Sequence, residues 1–251
     1  MLPEIEILNF SIPSFGLCVF LAYLVGAFFL RFNLKKINKT QILYIPISLI
    51  ILVFSFSGAH LFSFFEKVNL LSDTFDTLAY KFTHSGLNFL GGFVFSVVGI
   101  YFIIPKLIKI DRLHLFSLLM PSLAISYSIG RIGCLLSGDG CYGISTTLPI
   151  GMSFPNGSVP VFENVYPTPL FEAIIFFVFF FYIQNCFSKS QTKEDHLTNI
   201  IITFFIFGLF RFLIEFIRIN TKYFYLSQAQ WISLCLIIVA IILFQFRRKI
   251  L

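Results

Sequence analysis

Residues 198–217, TNIIITFFIFGLFRFLIEFI, decide the fold. A run this apolar has the ~20 residues a helix needs to cross the hydrocarbon core of a bilayer. It nevertheless contains Arg211 and Glu215, and Arg218 follows it. Charge within a span is costly, so it marks function by default. Further candidate spans fall at 15–30, 42–64, 86–104, 113–133, 168–187 and 228–246. The chain reads as an all-α integral membrane protein of about seven transmembrane helices. Residues 1–251 are read as a single transmembrane domain, with no tandem repeat.

Composition agrees. Hydrophobic residues make up 57% and charged residues 12%, against about 25% charge in soluble domains. The net charge of +6 comes from basic residues at the ends of apolar runs. It forms no stripe that would track a phosphate backbone, so no nucleic-acid partner is expected. The chain opens with Glu4 and Glu6, and its first basic residue is Arg31. A secretory signal begins with a basic segment, so none is read here.

Arg31, Lys35, Lys36 and Lys39 fill the first connection, Lys106, Lys109 and Arg112 the third, and Arg247, Arg248 and Lys249 the tail. The positive-inside rule then predicts the N-terminus outside and the C-terminus inside. Two long outer loops follow, at about 65–85 and 135–167, and long loops in compact proteins are often functional.

This topology gathers polar residues near the outer face. Arg131 closes the fourth span, and Glu172 opens the fifth. Arg211 lies about 20 Å along the sixth. Glu215 and Arg218 follow Arg211 on the same helix face. His60 ends the second span, Gly91 and Gly92 open the third, and Gln230 opens the seventh. Each has a plain structural account. Arg218 and Arg131 reach for headgroups, Glu215 neutralises Arg211, His60 packs, and Glu172 sits at a helix start. Those accounts leave the convergence unexplained. Two arginines and two carboxylates at one depth suit an anion, and phosphate matches a guanidinium fork.

Cys134 and Cys141 bracket a polar segment without the CxxC pairs or nearby His of a zinc site. A disulfide between them stays open if they face an oxidising compartment.

Gly130-Arg131-Ile132-Gly133 through Gly143 resembles the signature of the prolipoprotein diacylglyceryl transferase family. Three further blocks agree in order. They are Ser85-Gly86-Leu87-Asn88-Phe89-Leu90-Gly91-Gly92, Tyr166-Pro167-Thr168-Pro169-Leu170-Phe171-Glu172, and Gly208 through Arg218. The resemblance covers nearly the whole chain. It implies a multi-pass protein of the bacterial inner membrane, acting with membrane lipid and prolipoprotein signal peptides. Diacylglycerol would pass from phosphatidylglycerol to the thiol of a lipobox cysteine, giving a thioether and glycerol phosphate, without cofactor or metal.

On this reading Arg131, Gly133, Cys134, Ser137, Gly143, Gly91, Gly92 and Glu172 bind substrate. His60, Asp139, Arg211 and Glu215 carry the chemistry. Several family positions differ: Leu90 stands for the usual His, Phe15 for Tyr, His60 for Arg, Cys134 for Asn and Tyr166 for His. The base that takes the thiol proton is therefore His60 or Asp139, or the arginine field alone suffices. Two alternatives use the same scaffold: a non-catalytic lipid-binding or assembly protein, and an anion transporter.

Overall fold

The computed structural model describes residues 2–7, 10–37, 41–67, 77, 80, 89–220, 222–223 and 225–250. Most of the 65–85 connection, residues 85–88 of the glycine-rich block and the Leu90 side chain lie outside the described residues. Among those described, six helices are long and apolar enough to cross a membrane. They are α1 (Ser14–Lys36), α2 (Tyr44–Lys67), α5 (Arg112–Ser137), α6 (Thr168–Lys189), α7 (Lys193–Ile214) and α8 (Gln228–Ile250). The remaining expected span, 86–104, appears as two short helices, α3 (Phe89–Val98) and α4 (Ile104–Ile108), joined by a π turn at Gly99–Ile103. Pro105 has no N–H to continue the α-helical ladder. The Ile104 N–H reaches back five residues to Gly99 O instead.

The chain divides into two compact units, residues 1–33 with 116–251, and residues 34–115. Within the first, small and hydroxyl side chains let helices approach, as expected where lipid gives no hydrophobic force between them. The Ser126 hydroxyl of α5 donates to Ala22 O of α1 at 2.8 Å. Ser128 donates to Ala173 O of α6 at 2.7 Å. Asn33 and Gln184 exchange amide hydrogen bonds of 3.3 and 2.7 Å between α1 and α6. Gly208 of α7 lies against Ser233 and Ile237 of α8. Thr192 and Asp195 start α7 as a reciprocal capping box. That satisfies two backbone N–H groups at the helix start.

In the second unit α2 and α3 meet through glycine. Gly91 faces Gly58 and Phe62, and Gly92 faces Ser55 and Ala59. Phe20, Phe28, Val53 and Val178 are each more than half exposed, which in lipid is ordinary helix surface.

Among the described residues, three two-stranded antiparallel ribbons accompany the helices: β1–β2 (Glu4–Ile7, Phe10–Pro13), β3–β4 (Met152–Phe154, Val161–Val165) and β5–β6 (Lys222–Tyr223, Leu226–Ser227). The connection from α5 to α6 is thus a folded cap. Tyr142, Phe154 and Val165 form its core, with the first two rings stacked at 4.0 Å.

These contacts predict opposite responses at two glycines. A side chain at Gly208 collides with α8, whereas Gly130 faces open space. Gly208→Leu should cost about 1–3 kcal/mol by overpacking. Gly130→Ala should be neutral or slightly stabilising, because it removes helix-interior glycine. Thermal unfolding in detergent reads both.

Candidate active site

The last turns of α5 and α7 and the first two turns of α6 lie together in the first unit. Glu172, 2% exposed, is the hub. Its Oε2 is 3.0 Å from Arg131 Nε, and its Oε1 is 2.8 Å from Arg211 Nη1. Tyr127 donates its hydroxyl to Glu172 Oε1 at 2.8 Å. The same hydroxyl accepts from Arg131 Nη2 at 2.7 Å. The Tyr127 ring lies 4.8 Å from the Arg131 guanidinium carbon and packs edge-on against Phe176 and Phe207. Arg211 Nη2 is 3.2 Å from Glu215 Oε2, one turn along α7. Asn220 donates to Glu215 Oε1.

Arg218 does not snorkel as expected. Its side chain is 6% exposed, 3.8 Å from Glu172 Oε2 and 4.0 Å from Glu215 Oε2. Its Nε and Nη1 are buried and make no hydrogen bond. Backbone pairing fixes it there: Gly143 bridges to Arg218, and Ile144 N–H donates to Ile217 O at 2.8 Å.

Three guanidiniums therefore face two carboxylates, a surplus of one positive charge within the five-residue cluster. The carboxylate oxygens that face Arg218, Glu172 Oε2 and Glu215 Oε2, are likewise without a hydrogen bond, and buried polar groups left so loosely paired are costly. An oxyanion supplies acceptors and the missing charge together.

The chain from Gly133 to Gly143 continues from Arg131 of this cluster. Gly133 lies against Cys18 and Phe15 of α1, where a side chain would not fit. Ser137 is buried and donates to Cys134 O at 3.2 Å. Gly143 sits between Ile217 O, Tyr166 and Thr168. Asp139 Oδ1 accepts from Cys141 N–H at 3.0 Å, which makes a turn. Cys134 Sγ is 3.9 Å from Arg131 Nη1. Cys134 and Cys141 are both free thiols. A hydrogen bond with the Cys134 thiol pulls Cys141 down to about 7; burial opposes this and the Arg218 charge assists it.

His60, Gly91 and Gly92 belong to the second unit. There the His60 ring stacks parallel to Phe56 with centroids 6.4 Å apart, and both glycines serve the α2–α3 contact.

The model of the prolipoprotein diacylglyceryl transferase family matches residues 4–246. The chain belongs to this family. A Leptospira interrogans relative named phosphatidylglycerol–prolipoprotein diacylglyceryl transferase is 39% identical over 145 residues, 57% of this chain and 45% of that one. The match thus spans under half the length of the Leptospira relative. A Clostridium tetani relative of the same name is 26% identical over 97% of this chain and 96% of its own. A Clostridium perfringens relative, named as a second transferase of this kind, is 28% identical over 97% and 94%.

Within this family member, sequence reasoning placed Arg131, Glu172, Arg211 and Glu215 together, and they are together. It missed Tyr127, whose signal was its position one turn before Arg131 on the same face. It also gave Arg218 to the headgroups, although Arg218 stands one turn after Glu215.

Glu172→Gln removes the charge that holds three guanidiniums together. It should cost about 3 kcal/mol or more, the usual penalty for breaking a buried ion pair. Tyr127→Phe deletes one neutral bridge and should cost about 1 kcal/mol. Thermal unfolding in detergent checks the order; the reverse order contradicts the hub role of Glu172.

Proposed function

We propose that this chain transfers diacylglycerol from phosphatidylglycerol to the lipobox cysteine of prolipoproteins in a bacterial inner membrane. The observation that carries the reading is the Arg131–Arg211–Arg218 cage, with Arg218 buried and the other two partly exposed, and its surplus of one positive charge. The lipid phosphate enters that cage. The substrate thiolate attacks the glyceryl carbon next to the phosphate. The carbon–oxygen bond breaks, and its electron pair leaves with glycerol phosphate. Negative charge grows on the leaving phosphate, so guanidiniums fixed in a low-dielectric site lower the barrier. Glu172 and Glu215 hold the forks in place.

The proposal includes one membrane domain of seven spans, with the α3–α4 segment as the third crossing, the N-terminus outside and the site open to the outer leaflet. The Lys and Arg asymmetry of the loops supports this orientation. A single cysteine placed at Asn164 in the β3–β4 cap should react with a membrane-impermeant maleimide in intact spheroplasts. Labelling only after lysis rejects the orientation.

Arg131→Ala and Arg211→Ala should each lower the rate of thioether formation on a lipobox peptide by at least about 100-fold, the scale of losing one preorganised donor. Lysine at either position should restore only part, because it offers a point charge and no planar fork. Wild-type rates in both alanine variants contradict the cage. Wild-type protein that binds phosphatidylglycerol and forms no thioether belongs instead to the lipid-binding reading.

His60→Ala with a large loss at neutral pH, partly regained at high pH, identifies His60 as the base. Asp139→Asn is read in the same way. Full activity in both assigns thiol deprotonation to the positive field around the site, since the thiolate is the nucleophile and a free thiol has a pKa of about 8.5.

A further inference from the structure

Cys134 lies buried in the last turn of α5, and the chain doubles back after Ser137. Gly138 and Gly140 take left-handed φ angles of +61° and +85°, a conformation that glycine reaches without strain. The reversal brings Cys134, Asp139 and Cys141 into one group. Both sulfurs and a carboxylate oxygen lie within 4.8 Å of one another. The linear spacing conceals this, because it has neither a CxxC pair nor a histidine. A tetrahedral zinc ion, with sulfur at about 2.3 Å and oxygen at about 2.0–2.2 Å, sets such donors roughly 3.5–3.8 Å apart. Contraction by about 1 Å closes the group on an ion of that size. Two thiolates with one carboxylate suit zinc rather than magnesium or calcium. The Cys141 N–H bond to Asp139 Oδ1, 3.0 Å, orients the carboxylate in the way outer partners orient metal ligands.

We propose that Cys134, Asp139 and Cys141 form a zinc site whose fourth position takes the incoming substrate thiol. The inference rests on the transferase reading and gives it a further means of generating the thiolate, beside His60 and the arginine field, in a chain with Leu90 at the family's histidine position. Three protein ligands with one open position is the pattern of catalytic zinc. A thiol that coordinates zinc is deprotonated outright.

The balance is complete. Cys134 and Cys141 release their protons when the ion binds, and the substrate thiol releases its own to water. Its sulfur electron pair forms the bond to the glyceryl carbon. The carbon–oxygen pair departs on glycerol phosphate, and the neutral thioether, a poor ligand, leaves the ion. The position is right for this, with Cys134 Sγ 3.9 Å from Arg131 Nη1 of the phosphate cage. The ligated ion carries one net negative charge, opposite in sign to the surplus of the cage.

The test uses the full chain purified in detergent under reducing conditions, loaded with zinc or cobalt and freed of excess metal. Stoichiometric zinc and an intense thiolate-to-cobalt absorption band are expected. Cys134→Ser and Cys141→Ser should each lose the band, and Asp139→Asn should shift it. Removing zinc with a chelator should abolish thioether formation on a lipobox peptide, and added zinc should restore it. A cobalt spectrum unchanged in Cys141→Ser overturns the proposal. So does a Cys134–Cys141 disulfide in protein extracted with thiols trapped at acid pH. Full transfer by zinc-free wild type also overturns it and leaves the transferase reading standing. Stoichiometric zinc with no transfer in either form retains the metal site and rejects the transferase reading.

Discussion

One buried carboxylate organises this molecule. Glu172 accepts hydrogen bonds from Arg211 and the Tyr127 hydroxyl at 2.8 Å, pairs with Arg131 Nε at 3.0 Å and stands 3.8 Å from Arg218. Away from water, three guanidiniums without it repel one another at full strength. The three helix ends meet because their charges are matched there, and the match is left incomplete by one positive charge. An incomplete match is poor design for stability, since buried ion pairs at best roughly offset their desolvation. It is good design for gripping an anion.

The surrounding structure serves that hub. The glycine contacts at Gly26 and Gly133 bring α1 against α5, and Gly208 brings α7 against α8. The hydroxyl and amide bonds between α1, α5 and α6 fix the helices that carry Arg131 and Glu172. The β3–β4 cap adds a second constraint. By pairing Gly143 and Ile144 with Ile217 and Arg218, it ties the signature loop to the end of α7. The loop that the sequence marks by its glycines is therefore part of the site's wall.

Much of this was legible beforehand. The apolar runs located the six long helices with ends off by up to six residues, because lipid demands a length and a composition that few other constraints imitate. The meeting of Arg131, Glu172, Arg211 and Glu215 followed from helix direction and rise alone. Side-chain partnership was less legible. Arg218 looks like a headgroup residue until the backbone bridge to Gly143 shows what holds it inside. Tyr127 looks like one more aromatic in a chain with 36 phenylalanines. Its role depends on a hydroxyl direction that no pattern encodes. The β3–β4 ribbon was missed because short strands in a Gly- and Pro-rich segment have no periodicity to read. The grouping of Cys134, Asp139 and Cys141 depends on two left-handed glycines.

The central claim is that the arginine cage holds the phosphate that leaves. The most direct measurement uses phosphatidylglycerol labelled in its glycerol headgroup, a lipobox peptide and the purified chain. Thioether peptide and labelled glycerol phosphate are counted in the same reaction. The account predicts that the two appear in equal amounts. Bound lipid with neither product, or headgroup release without thioether, contradicts it.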